Sequence, residues 1–413
     1  MNRPALLSLD DALPQLLMQV HVLTATHAVS TFEADGRVLA QNVVSALQVP
    51  PQDNSSMDGY AVRVADCVQA GAVLRVTQRI PAGTYGTHIN AGEAARIFTG
   101  APIPPGADAV VMQEDCEPLE GEQVKVNKVV PVGQWIRRSG EDVTRGTTVL
   151  SKGTRLTPAE LGLAASIGLA QLQVSARPRV ALFSTGDELV MPGEVAPEAM
   201  PAGSIYNSNR FFLRAMLQRL GCEVTDLGIV PDQRDATITA LREAAQHHDL
   251  IVTSGGVSVG EEDHIKPAVE SLGELDLWQL AIKPGKPFAY GKVHRGAKDD
   301  VCHFMGLPGN PVSSFVTFLL LVRPFVLALQ GVVQTDMVRT EMTAHFDWPR
   351  ADKRREFLRV KRNAQGGLDL FPNQSSGVLT SAVWGDGVVD NPAGQTISKG
   401  DTVRFISFAE WLA

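Results

Sequence analysis

Between residues 177 and about 330 the chain alternates apolar strand-like runs with amphipathic helical segments, and three of the strand-like runs end in a polar loop rich in glycine. Arg179 to Phe183 is a continuous apolar run that ends in Ser184-Thr185-Gly186-Asp187-Glu188. A helical segment follows with Leu213, Met216, Leu217 and Leu220 on one face and Gly221 as its stop. Val224 to Val230 reads as strand, Ala236 to His247 as helix, Leu250 to Thr253 as strand, and His303 to Met305 as strand before a long apolar helix from Val312. Parallel strands need helical crossovers and bury both faces, so this alternation predicts a mostly parallel sheet covered on both sides.

The flanking segments read differently. Pro50-Pro51 opens a stretch to about Gly140 that is rich in Val, Ile, Thr and Gly and lacks helical periodicity. Helical signal returns where Thr157 caps and Pro158 takes the first helical position. From about 331 short β segments recur at 356–360, 368–371 and 403–408. The expected organisation is a helical connector in two segments (1–45 and 141–176), an inserted β-rich domain (46–140), an α/β domain (177–330) and a C-terminal β barrel (331–413).

The length of 413 residues calls for several cores, and 44% hydrophobic with 20% charged residues describes a folded chain. A net charge of −8 excludes a global basic field for nucleic acid or an anionic membrane, so an anionic ligand would need local focusing. The four cysteines form no CxxC pair, which argues against structural zinc and a disulfide framework and fits a reducing compartment. The N-terminal helix capped by Ser8 lacks the basic region and continuous apolar core of a signal peptide. Arg323-Pro324 splits the greasy run from Phe315 to Leu329 well short of the roughly 20 residues a membrane span needs. A cytoplasmic protein is expected.

Ligands of open parallel sheets sit outside the carboxyl ends of the strands. Three loops there look suited to a phosphate-type anion: Ser254-Gly255-Gly256-Val257-Ser258-Val259-Gly260, Leu307-Pro308-Gly309-Asn310-Pro311-Val312-Ser313-Ser314, and Ser184-Thr185-Gly186-Asp187-Glu188. Their glycines let backbone N–H groups turn inward, and the serines add hydroxyl donors. The 184–188 loop adds two carboxylates to the rim. A lone loop of this kind is usually turn punctuation, but three at strand exits of one sheet point to a shared site. Lys283-Pro284-Gly285-Lys286-Pro287 is the leading cation candidate, against the plainer possibility of a solvated turn. Asp187, Glu188, Asp232, Glu261, Glu262 and Asp263 gather near these loops in sequence, and carboxylates beside phosphates suggest Mg²⁺. Singly each would be a cap or a solvated face. The β-rich segment holds Asn54 to Tyr60 around Asp58, Arg96 to Pro104 with Thr99, and Arg137, Arg138, Glu141 and Asp142 at its exit. Nothing in their spacing shows that they reach the α/β domain.

At these residues the chain closely resembles the molybdopterin molybdenumtransferases, the bacterial MoeA proteins and the gephyrin E domain. The stretches that carry the resemblance are 54–61, 96–114, 140–143, 184–189, 249–262, 280–291 and 306–314. The resemblance implies a molybdopterin-binding α/β domain within a homodimer, with the cleft between the α/β domain of one subunit and the C-terminal domain of its partner. It implies conversion of adenylylated molybdopterin and molybdate to molybdenum cofactor and AMP, with Mg²⁺. By motif it assigns catalytic roles to Asp58, Thr99, Asp142, Glu188, Asp232, Asp263, Lys283 and Lys286, and metal ligation to Asp187, Glu188 and Asp263. It assigns substrate binding to Ser184, Thr185, Gly186, Ser254, Gly255, Gly256 and Ser258, and to Pro308, Gly309, Asn310, Pro311 and Ser313. In the C-terminal domain Arg354, Arg355 and Ser376 resemble the family's oxyanion-handling positions. Some relatives have Lys where this chain has Gln279. The rival activities are adenylylation of molybdopterin from ATP and, from another class, a gephyrin-like scaffold. Other cofactor-assembly enzymes are candidate partners, and neither nucleic acid nor membrane is.

Overall fold

Side chains alternate across the strand Arg179–Thr185, and both faces find a core. Val180 and Leu182 enter one core, Ala181 and Phe183 another, and all four are 0% exposed. The structure, a computed structural model, describes residues 6–256, 264–296 and 300–412. The α/β sheet runs Glu223–Val230, Arg179–Thr185, Leu250–Ser254, Val301–Leu307, Pro287–His294, Gly273–Gln279. The first four strands are mutually parallel. The last two join antiparallel. The sheet is therefore mixed, because the short link around Lys283 to Lys286 cannot make a crossover and folds back as a hairpin.

The helices Asn209–Arg219 and Pro311–Thr317 cover one face, and Arg234–His247 and Ile265–Leu272 the other. The helical run Pro311–Leu329 spans 19 residues and 83% of its apolar window is buried within the fold, which marks it as a core helix. The opening helix Leu9–Leu17, capped by Ser8, buries Leu9, Ala12 and Leu16 in this same core rather than in the connector. Its apolar stripe needs a partner, and the 311–329 run supplies one.

In the N-terminal half, Thr26–Ser30 pairs with Gln171–Ser175, and Val43–Val44 with Thr148–Leu150. Two distant segments thus build one connector, joined by the helix Pro158–Ser166, whose Thr157 and Glu160 form a reciprocal capping box. The chain between them forms a separate six-stranded sheet. At the C-terminus five strands close on themselves through the pairing of Arg355–Arg362 with Gly387–Asn391. The two-residue strand Ile282–Lys283 adds to this barrel from the α/β side.

Candidate active site

Thr185, Ser254 and Leu307 end three adjacent parallel strands, in register with Val230 on the fourth. From the central strand Arg179–Thr185 the chain moves first to one neighbour and later to the other, so a crevice opens between Thr185 and Ser254. It forms a cleft of about 830 Å³. Thr185, Gly186, Glu188, Asp232, Ser254, Gly255 and Gly256 line it, together with Pro308, Gly309, Asn310, Pro311 and Ser313. The three loops singled out in the sequence therefore share one hollow. Gly255 has φ +93°, and a Cβ there would stand 2.8 Å from the Thr185 carbonyl oxygen, so the two loops touch only because this residue lacks a side chain.

A segment the sequence did not single out completes the wall. Asn209 is buried and its Nδ2 donates to Ser254 Oγ at 2.8 Å and to the Gly309 carbonyl at 2.7 Å, tying two loops together. Asn207 is 2% exposed and lines the cleft. Its Oδ1 accepts from Arg210 N, and its Nδ2 has no partner among the described residues. A buried amide donor without an acceptor is costly, and a ligand oxygen in the cleft would satisfy it. The available signal was Asn207-Ser208-Asn209, small polar residues before an amphipathic helix.

Other expected residues lie elsewhere. Ser184 is buried in the sheet, off the wall, and its Oγ has no partner among the described residues. Asp187 is exposed and is not part of the wall. Ser258 and Asp263 lie outside the described residues. Lys283 does not line the cleft: its Nζ is 3.0 Å from Glu356 Oε1 and 3.2 Å from Asp352 Oδ2. Burial works against its charge, yet the bonds to Glu356 and Asp352 prevail and raise its pKa. Lys286 is half-buried with no ion pair among the described residues, and its neighbour Pro287 is on the wall. Asp58 and Thr99 meet each other in the N-terminal sheet, where Asp58 Oδ1 accepts from Thr99 N and Oγ1, both at 2.8 Å. The Thr99 backbone bond is the main cause of a lowered Asp58 pKa, so the carboxylate is charged. Asp142 is exposed at the end of the inserted segment. Within one chain none of these three is on the cleft wall.

The C-terminal domain reaches the cleft within one chain, where a partner's was expected: Gly377 is on the wall, and Val312 N donates to the Ser376 carbonyl at 2.9 Å. The two expected arginines are not there. Arg354 is tied to Asp352 at 3.0 Å, and Arg355 to Asp390 and Asp10. The residue beside the 374–377 loop is Arg359, four positions further along the same strand and on the same face as Arg355. It is 1% exposed and among the described residues bonds only neutral acceptors: Ser381 Oγ, the Phe357 carbonyl and, through Nη2 at 3.3 Å, the Ser375 carbonyl. Burial lowers its pKa to about 10, so it still carries a charge at neutral pH. A buried guanidinium with no carboxylate partner places positive potential under this edge of the cleft.

Among the described residues no group of three or more His, Cys, Asp or Glu converges as a metal centre. Glu188 and Asp232 nevertheless face the same hollow. Two carboxylates with hydroxyl and carbonyl neighbours form an all-oxygen donor set, which suits a hard cation shared with a phosphate rather than a transition metal.

Three family models match: "MoeA N-terminal region (domain I and II)" over residues 7–168, "Probable molybdopterin binding domain" over 181–328, and "MoeA C-terminal region (domain IV)" over 341–408. The chain is 43% identical over 330 residues to a molybdopterin molybdenumtransferase of Haemophilus influenzae, covering 80% of this chain and 79% of that one. It is 35% identical over 415 residues to one of Synechococcus elongatus, covering 96% and 98%. Among solved structures, the molybdopterin biosynthesis moeA protein of Pyrococcus horikoshii superposes with a TM-score of 0.82 at 28% identity, covering 98% and 100%.

Proposed function

Since the chain belongs to the molybdopterin molybdenumtransferases, enzymes that insert molybdenum into molybdopterin, we propose that its 830 Å³ cleft holds adenylylated molybdopterin and that molybdate enters it with release of AMP. One observation carries this: Asn207, whose Nδ2 has no partner among the described residues, lines the same hollow as the loops at Gly255 and Gly309, where a phosphate would lie. Both substrates are anions, and bringing them together in a partly desolvated cleft costs electrostatic repulsion. Arg359 beneath Ser375 to Gly377, Lys286 beside Pro287, and the loop N–H groups offset that cost. Thr185, Ser254 and Asn310 orient the phosphate, while Asn209 fixes the spacing of its two loops. Mg²⁺ would be held by Glu188 and Asp232, with Asp263 a further candidate; when bound it supplies charge neutralisation at the phosphoanhydride.

Two copies of the chain form the working unit in this proposal. Thr99 is exposed, Asp58 is half-buried, and the two are already bonded to each other, so a second copy could present them to the cleft with little reorganisation. Asp142 lies at the root of the same domain. Mixing an inactive Asp58→Asn protein with an inactive Glu188→Gln protein should then restore part of the turnover. The reaction is placed in the cytosol, consistent with four free cysteines, of which Cys67, Cys222 and Cys302 are buried.

The experiment is incubation of the pure protein with adenylylated molybdopterin and Mg²⁺, with and without molybdate. Molybdate-dependent AMP release with formation of molybdenum cofactor supports the proposal. Adenylylation of molybdopterin from ATP without molybdate would overturn it.

A further inference from the structure

A second cavity, of about 410 Å³, lies where the opening helix, the α/β domain and the C-terminal barrel meet, and it shares no lining residue with the cleft. Three arginines, Arg339, Arg355 and Arg404, line it. Behind them the Asp390 side chain is 0% exposed, with Oδ1 2.6 Å from Arg355 Nε and Oδ2 2.9 Å from Arg339 Nε. Burial alone would raise the Asp390 pKa, but Arg355 and Arg339 outweigh it and hold the carboxylate charged. One buried anion thus orients two cations.

The cations are not fully used. Arg355 gives its remaining bond to Asp10 Oδ1 at 2.9 Å, an aspartate whose side chain is 82% exposed and therefore screened by water. Among the described residues Arg339 bonds protein through Nε alone, so neither Nη group has a protein acceptor there. Among the described residues Arg404 makes no ion pair, not even with Glu341 directly across the strand pairing. Asp390 and Asp10 offset two of the three positive charges. The remaining charge comes with a fork of unbonded N–H donors, in the geometry that suits oxygens of a tetrahedral anion. Leu9, Ala281, Pro392 and Ala393 supply apolar wall beside it, and the volume lies within the range of small-molecule sites.

We propose that this cavity is a second ligand site, for a small phosphomonoester whose phosphate lies between Arg339 and Arg404 and whose body rests on the Leu9 and Pro392 wall. The test uses the full-length protein in phosphate-free buffer at low salt. Calorimetric titration with inorganic phosphate, sulfate and phenyl phosphate is run on the wild type, on Arg404→Glu and on Arg404→Lys, and crystals are soaked in phenyl phosphate. Arg404 is on an exposed strand position away from the cleft, so both variants should fold and retain molybdate-dependent turnover. Expected are density between Arg339 and Arg404, tighter binding of phenyl phosphate than of either inorganic ion, and about tenfold weaker binding or its loss in Arg404→Glu, with Arg404→Lys, which keeps the charge but not the fork, intermediate. If sulfate and phosphate bind as well as phenyl phosphate, an anion site remains but the apolar wall has no role and the phosphomonoester assignment is overturned. Equal affinity in wild type and Arg404→Glu, or density confined to the Thr185 and Ser254 cleft, would overturn the site altogether.

Discussion

Lys283 Nζ stands 3.0 Å from Glu356 Oε1, and Glu356, whose side chain is 1% exposed, also accepts from Trp348 Nε1 at 2.8 Å. The lysine leaves the α/β hairpin to neutralise a carboxylate buried in the barrel, in register with the pairing of Lys283 and Glu356. It is a clasp between domains. Lys283→Ala would leave that carboxylate unpaired. The cost is about 2 kcal/mol, less than for a fully buried pair because Lys283 is over a third exposed. Thermal melting should show the barrel loosening first in Lys283→Ala. Lys286→Ala, with no ion pair to lose, should keep its melting temperature and lower turnover.

Asn207 and Asn209 should separate ligand binding from loop geometry. Asn207→Ala removes the Nδ2 donor, which has no protein partner among the described residues, together with the 3.3 Å bond from Arg210 N to Oδ1, so stability should fall by no more than about 0.5–1 kcal/mol while AMP affinity falls about tenfold. Asn209→Ala strands Ser254 Oγ and the Gly309 carbonyl, which costs about 1–3 kcal/mol and should also weaken AMP. Melting temperature and AMP dissociation constant, measured on both variants, check the distinction. Equal stability losses in the two would contradict it.

Arg359 offers a sharper contrast, since a buried charge without a carboxylate partner is poor evidence of stabilisation. Arg359→Met should fold with a near-normal melting temperature yet lose molybdate-dependent turnover by more than about tenfold, with Arg359→Lys intermediate. A purely structural arginine would give the reverse, with lower melting and unaltered turnover per folded molecule.

His303 should make the α/β domain sensitive to acid. It is 5% exposed, its Nδ1 is 2.9 Å from Tyr290 Oη, and burial lowers its pKa from 6.5 to about 4. Below pH 6.5 the unfolded chain takes up a proton that the folded chain refuses. Stability is therefore complete above 6.5 and lost progressively as pH falls towards 4. Between pH 7.5 and 5 the loss is about 2 kcal/mol. Denaturation at both pH values should show this slope in wild type and a shallower one in His303→Gln.

Much of this was legible in the chain because the signals were local. The loops at 184–188, 254–256 and 307–314 carry their turn chemistry in adjacent residues, and apolar runs placed the strands that bring them together. What was not legible depends on distant partners. Nothing near Lys283 in sequence announces Glu356, 73 positions away, and nothing near Arg355 announces Asp390, 35 away. The choice among Arg354, Arg355 and Arg359 depends on which side chain the barrel turns towards Ser375, a matter of strand register. Asn207 was passed over because a polar residue before a helix usually serves as a cap, whereas here its amide nitrogen is left without a partner.

The most direct measurement is a crystal of the full-length protein soaked with AMP, Mg²⁺ and molybdate. The predicted result is the AMP phosphate against the N–H groups of the Gly255 and Gly309 loops and within bonding distance of Asn207 Nδ2, with molybdate towards Ser376 and Arg359. Density for both ligands elsewhere, with that hollow left to solvent, would contradict the account.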